Sequence, residues 1–257
     1  MKADATMKSD KGSSESNGRH RVAVMAFHKI GSPPAQGWET WFYISARTFE
    51  GYLGWLKERD WRVISAREFL KGLAFPETLP DRSVLLTFDD GYRSMRRVAL
   101  PILRTVGFPA VLFVPTGFIG LVNSFDAGIE PEERICDWHD LLELQRHDVS
   151  IQSHGVSHRR FSELSEEDRD RELTQSKASL EDRLGKPVEL FSYPYGDCGS
   201  SRGSSVSALR RAGYKAACVY GGGSIEVPVA DVHRIERIAM GPGTDLDKVL
   251  ESVPKTA

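Results

Sequence analysis

The sequence predicts an α/β fold, a single distorted (β/α) barrel of about seven parallel strands, on three observations. Apolar runs of strand length alternate with segments of helical spacing along most of the chain. Several of those runs end abruptly in Asp, His or Tyr-Pro, and neither a repeat nor a linker divides the 257 residues. In parallel barrels the polar residues at the carboxyl ends of the strands build the site, while those at the other end serve stability.

The elements follow in order. Arg21-Val-Ala-Val-Met-Ala-Phe-His28 is a strand with a polar end, and Gly31-Ser-Pro-Pro breaks the chain after it. Phe49, Tyr52, Leu53 and Leu56 share helical spacing, and Trp61–Ser65 returns to strand. Residues 83–88 form a buried-type strand running into Asp89-Asp90-Gly91, and Leu100, Leu103 and Val106 mark a helix stopped by Gly107. A strand at 110–114, a helix near 138–146 and a strand at 149–153 continue the alternation. The long helix of about 165–184 is punctuated by Ser165 and Asp168, which resemble a capping box, and by Gly185 and Pro187; Leu173, Leu180 and Leu184 share one face. Strands at 190–193, 215–220 and 232–238 and helices near 204–212 and 245–252 complete the pattern.

Composition narrows the function classes. With 40% hydrophobic and 27% charged residues and a net charge of −2, the chain reads as an ordinary globular protein without an electrostatic case for nucleic acid. Cys136, Cys198 and Cys218 are odd in number and too far apart for a zinc ribbon or redox pair. Residues 1–20 are polar and read as a disordered leader, the folded domain spanning 21–257. No apolar run suggests a signal core or a transmembrane segment, so a cytoplasmic location is expected.

Three motifs carry chemistry. Thr87-Phe-Asp-Asp-Gly-Tyr92 sets two adjacent carboxylates after a strand; their side chains diverge, so one can hold a cation while the other faces substrate, although Asp-Asp-Gly also reads as a capping turn. Ser153-His-Gly-Val-Ser-His158 places two imidazoles on one side of a turn, where they can converge on a cation; alone they could be exposed or capping histidines. One carboxylate plus two imidazoles leaves an open position, as a catalytic site requires. Phe191-Ser-Tyr-Pro-Tyr-Gly-Asp197 is a rigid loop able to aim a main-chain N–H at a developing oxyanion, or simply a tight turn.

Together, Thr87-Phe-Asp-Asp-Gly, His154-x-x-x-His158 and Tyr193-Pro-Tyr-Gly resemble the polysaccharide deacetylase family (NodB homology, carbohydrate esterase family 4) over nearly all of residues 21–238. The resemblance implies a NodB-type barrel and a metal-dependent hydrolase that removes an N-acyl group, principally acetyl, from an amino sugar. It implies Asp89 as general base, Asp90, His154 and His158 as metal ligands, and the Tyr195 N–H as oxyanion donor. Zinc is the first choice for that set, with Co2+, Ni2+, Mn2+ or Fe2+ also acceptable. The family usually carries an arginine two positions before the motif's proline, and here that position is Ser192. The loop is instead similar to the poly-beta-1,6-N-acetylglucosamine deacetylase branch, in which an N-terminal aromatic-His pair supplies the acid; Phe27-His28 matches it. His28 is therefore the expected proton donor and His233 the runner-up, the alternatives being a histidine that caps the first strand for His28 and a buried or salt-bridged structural histidine for His233. Trp138 is expected either to line the sugar site or to pack its helix. Two other readings stay open: deacylation of a small, lipid-linked or nucleotide-linked N-acyl amine in the cytoplasm, and a non-catalytic carbohydrate-binding relative.

Overall fold

The computed structural model describes residues 20–33 and 40–250; apart from His20, which opens the first strand, the expected leader lies outside them. In chain order the elements are β1 (His20–Phe27), β2 (Lys29–Ile30), β3 (Tyr43–Ile44), α1 (Ala46–Glu58), β4 (Arg62–Val63), α2 (Ala66–Ala74), β5 (Ser83–Phe88), α3 (Leu100–Val106), β6 (Ala110–Val114), α4 (Trp138–Arg146), β7 (Val149–Ser153), α5 (Glu166–Leu184), β8 (Leu190–Ser192), α6 (Arg202–Arg211), β9 (Ala216–Cys218), β10 (Ile225–Val227), β11 (Ile238–Ala239) and α7 (Leu246–Leu250). No helix among the described residues is long and apolar enough to cross a membrane.

The sheet runs β1-β5-β6-β7-β8-β9 with every pair parallel. Residues 235–240 then bring it back to its start. Ile235 bridges Cys218 of β9, and β11 pairs in parallel with Met25 and Ala26 of β1. Seven parallel strands thus form the distorted barrel that the alternation predicts. The strand expected over 61–65 appears as β4, which pairs only with Ser83 and Val84 of β5, below the point where β6 takes over. Three-residue β10, antiparallel on the lower half of β1, and the two-residue pair β2–β3 were not predicted. Such short pieces carry too few residues to show a period.

The pleat sorts side chains into two cores, because successive residues of a strand face opposite ways. Ala23, Met25, Phe27, Leu86, Phe88, Leu112 and Val114 point outward against the helices. Val22, Val24, Leu85, Val111, Phe113, Leu190, Cys218 and Ile235 fill the bore, plugged at its lower end by Ile64 and by Phe69 of α2. The helices seat the faces expected of them. Ser45 caps α1, accepting from the Thr48 N–H, and Phe49, Tyr52, Leu53 and Leu56 are buried. Ser165 caps α5, Leu173, Leu180 and Leu184 are buried, and Gly185 ends it in the left-handed conformation at φ 63°. α2, whose capping box joins Ser65 and Glu68, was not predicted.

One expected strand is corrected. Residues 232–238 do not form one: Arg234 N–H bonds Asp231 O, and Asp231 Oδ1 accepts from the His233 N–H, so the segment begins as a turn. Val232 O accepts from the Ala217 N–H, and ladder pairing with β9 begins at Ile235. The helix expected over 245–252 is described over Leu246–Leu250, and its later positions lie outside the described residues.

A long connection from β6 to α4 walls one side of the barrel mouth, and its anchor is unusual. Lys29 is only 1% exposed; its ammonium lies 2.7 Å from Glu130 Oε2 and over the rings of Tyr43 and Tyr92 at 4.8 and 4.7 Å. Removing one partner of such a pair strands the other charge in a dry site. Lys29→Ala is expected to lower unfolding stability by about 3–5 kcal/mol, measured by denaturant titration, whereas Lys29→Met combined with Glu130→Gln recovers most of the loss.

Candidate active site

The inward face of every parallel strand of the barrel but β6, where the place is Pro115, ends in a polar residue one step above the apolar bore. Counting by twos from the buried interior gives His28 after β1, Asp89 after β5, His154 after β7, Ser192 at the end of β8, Tyr220 after β9 and Arg237 after Ile235. A single periodicity therefore gathers six of the site's side chains at the carboxyl end of the barrel.

The turn after β5 separates the two aspartates. Asp89 N–H bonds Phe27 O at 2.9 Å, after which Asp90 and Gly91 are both left-handed, at φ 68° and 71°. A Cβ on Gly91 would lie a tight 3.1 Å from a Val114 methyl, and the positive φ also favours glycine there. Asp90 turns to the histidines: its Oδ1 lies 3.1 Å from His158 Nε2 and 3.3 Å from His154 Nε2. His154 Nδ1 donates to Ser192 O at 2.6 Å, which leaves Nε2 as the ring's electron-pair donor. All three residues are buried, and their ligand atoms lie within 4.8 Å of one another. One carboxylate and two Nε2 atoms so converged fit a divalent cation. Asp137, His139 and Asp140 also group, but Asp137 and Asp140 form the capping box of α4 and Arg93 Nε sits 2.7 Å from Asp140.

Glu172, which the sequence did not single out, shapes the His-x-x-x-His loop. From α5 its carboxylate accepts the N–H groups of Val156 at 2.5 Å and Ser157 at 2.9 Å and the Ser157 hydroxyl. A Cβ on Gly155 would meet Glu172 Oε2 at 2.8 Å. His158 follows in the left-handed region at φ 55°, its ring packed on Phe125 at 4.1 Å and on Tyr195 at 4.7 Å. Tyr195, also left-handed at φ 57°, ties the two loops by donating its hydroxyl to Asp126 Oδ1 at 3.1 Å.

Asp89 turns toward Arg237 in the bore. Arg237 Nη1 and Nη2 donate to its two oxygens at 2.8 and 2.6 Å, and Nη2 also reaches Ser192 Oγ at 2.9 Å. The guanidinium is wholly buried and fixed further by Val219 O and Thr87 Oγ1. Position 192 holds no arginine, and the guanidinium on Asp89 comes instead from Arg237. The sequence signal was available: Ile235 and Arg237 alternate inward.

The charges follow from this packing. Burial opposes ionisation of Asp89, but the Arg237 guanidinium outweighs it and holds the carboxyl below its ordinary value. Burial likewise opposes ionisation of Asp90, yet hydrogen bonds from His154 and His158 hold it well below the carboxylate range. His154 is raised: burial disfavours its charge, and the Asp90 and Asp89 carboxylates overcome that. His28 is lowered, because burial exceeds the pull of Asp90 and Asp89. Its ring lies against Phe42 at 4.6 Å and Tyr220 at 5.3 Å.

Two expected residues sit elsewhere. His233 Nε2 contacts Tyr214 O, ahead of β9, which places it at the amino end of the strands, opposite the site; this follows from the turn at 231–234. Trp138 packs on the core at the start of α4, with Arg183 over its ring at 5.3 Å, contacts that belong to helix packing.

The profile of the polysaccharide deacetylase family matches residues 77–217, more than half of the chain. The chain belongs to that family. Poly-beta-1,6-N-acetyl-D-glucosamine N-deacetylase of Staphylococcus aureus is 27% identical over 183 residues, 68% of this chain and 60% of its own length. The chain spans about 60% of the length of the curated relatives it matches. The deacetylase PplD of Streptococcus pyogenes superposes with a TM-score of 0.77 at 21% identity, over 91% of this chain and 99% of that one. IcaB of Ammonifex degensii does so at 0.73 and 23%, over 87% and 93%. Both share the barrel fold.

Two outcomes are expected. Cation binding needs a neutral His154, whose pKa is raised above the ordinary 6.5, so affinity for added Zn2+ falls as pH drops through that raised value; His154→Ala abolishes binding, read by metal analysis after dialysis. Arg237→Met removes what keeps Asp89 ionised against burial, so the acid limb of the pH profile moves to higher pH. The stability that the pair contributes is present above the unfolded carboxyl's pKa and lost as pH falls through the folded one, so acid denaturation of the variant loses that component.

Proposed function

We propose that this chain is a metal-dependent N-deacylase that removes acetyl groups from N-acetylated amino sugars in a polysaccharide or saccharide precursor. The observation that carries this reading is the pair of divergent aspartates: Asp90 on two imidazoles, Asp89 alone on Arg237. A divalent cation held by Asp90, His154 and His158, zinc by preference, would supply Lewis acidity toward the acyl carbonyl and lower the pKa of water.

The chain's own residues provide the rest. Asp89, kept ionised by Arg237, accepts the proton of the attacking water. The strained Pro194-Tyr195-Gly196 turn fixes the Tyr195 main chain, whose N–H is the proposed donor to the developing oxyanion. His28 delivers a proton to the nitrogen as the carbon–nitrogen bond breaks, releasing acetate and an amine. Its ring is held between Phe42 and Tyr220, which fixes its orientation without a hydrogen bond to the charged pair.

Acetate release from N-acetylglucosamine oligomers, N-acetylated nucleotide sugars and simple acetamides tests the reading. Asp89→Asn is expected to lower kcat by at least about 100-fold while bound metal is retained. Protein carrying one equivalent of metal that releases no acetate from any of these substrates would refute it.

A further inference from the structure

Beside the proposed proton donor stand two buried polar atoms without a hydrogen-bonding partner among the described residues: the Tyr220 hydroxyl and Nδ1 of His28 itself. The two rings meet edge to face at 5.3 Å. Buried polar groups are almost always paired, and a hydroxyl that has lost its water without gaining a partner costs the fold free energy. Phenylalanine would fill the same space without that cost.

The fold nevertheless holds this side chain in place. Val219 O accepts from Arg237 Nε at 2.8 Å and Gly221 O from the Arg237 N–H at 3.3 Å, so the residue between them is pinned on both sides by the arginine that carries Asp89. A Cβ on Gly196 would lie 2.7 Å from the Tyr220 nitrogen and 2.9 Å from its Cβ, which seats the base of the side chain against the turn that presents Tyr195. From there the ring runs to His28. It therefore spans from the proposed oxyanion donor to the proposed proton donor, along the direction of the acyl carbon–nitrogen bond. Burial and the Asp89 carboxylate push the phenol above its ordinary value, so it stays a neutral hydroxyl with lone pairs able to accept.

The geometry of an amide narrows what it meets. In a trans secondary amide the N–H points opposite to the C=O, so a carbonyl directed at the cation and the Tyr195 N–H turns its N–H to the far side, toward the Tyr220 hydroxyl. An ester has an oxygen at that place and no proton to give.

We infer that the Tyr220 oxygen accepts the N–H of the scissile amide, holding the nitrogen against His28 and selecting N-acyl over O-acyl substrates. The inference rests on the deacetylase reading and adds to it the residue that tells amide from ester.

Tyr220→Phe deletes only a hydroxyl that has no partner in the fold, so its unfolding midpoint in denaturant is expected to be unchanged or higher. In metal-loaded protein the variant's kcat/KM for acetate release from N-acetylglucosamine oligomers should fall about tenfold. For the ester 4-nitrophenyl acetate it should stay within about twofold of the unsubstituted protein. A lowered midpoint, an equal loss on amide and ester, or no loss on either overturns the contact. Binding separates the two readings: N-acetylglucosamine trimer and the matching O-acetylated glucose trimer are titrated by calorimetry into metal-loaded Asp89→Asn protein, with and without Tyr220→Phe. A Tyr220-dependent preference for the N-acetyl trimer in a chain that releases no acetate from any substrate upholds the contact and refutes the deacetylase; turnover without that preference does the reverse.

Discussion

The buried ion pair between Arg237 and Asp89 is the interaction on which the rest of the site depends. Its two hydrogen bonds, at 2.8 and 2.6 Å, cross the bore from the closing segment to β5. The same guanidinium holds Val219 O beyond β9, Thr87 on β5 and Ser192 on β8. Four strand ends are therefore registered by one side chain above Phe113, whose ring lies 5.6 Å from it. A buried charge without a partner would be untenable in such surroundings, and a carboxyl buried without Arg237 would keep its proton. Barrel closure and the chemistry of Asp89 are thus two aspects of one contact.

Around that pair the backbone is bent into shapes that side chains rarely favour. Asp90, His158 and Tyr195 all have positive φ, and the three lie together over the cation site. Each departs from the common wells at a cost of about 1–3 kcal/mol, which the neighbouring contacts must offset. They are visible: Gly91 and Val114 beneath Asp90, Glu172 under the loop before His158, and Pro194 with Gly196 around Tyr195. The strain directs Asp90 toward the histidines although the adjacent Asp89 faces the bore.

The site was largely legible in the sequence because its donors sit at strand ends, where an apolar run stops at a polar residue. Asp89, Asp90, His154 and His158 all carry that signature, and the structure brings the trio and Asp89 to one end of the barrel. His233 was expected on the last strand from the resemblance but was misplaced, since the turn made by Asp231 moves the start of the ladder from 232 to Ile235 and gives the inward position to Arg237. Glu172, Phe125 and Asp126 were not legible. Glu172 looks like any acidic residue of a polar helix, and the other two lie on a connection whose course depends on the distant Lys29–Glu130 pair. α2 was legible though not predicted: Ser65 and Glu68 form a capping box, and Phe69, Leu70 and Leu73 give it an apolar face on the bore cluster.

Ser192 carries a further consequence. It is fully buried, its hydroxyl lies against Arg237, and its carbonyl orients His154. A longer side chain at 192 would press on the guanidinium, so the size of the residue that ends β8 sets how squarely Arg237 can face Asp89, and a bulky replacement there would disturb the carboxylate and the His154 ring together.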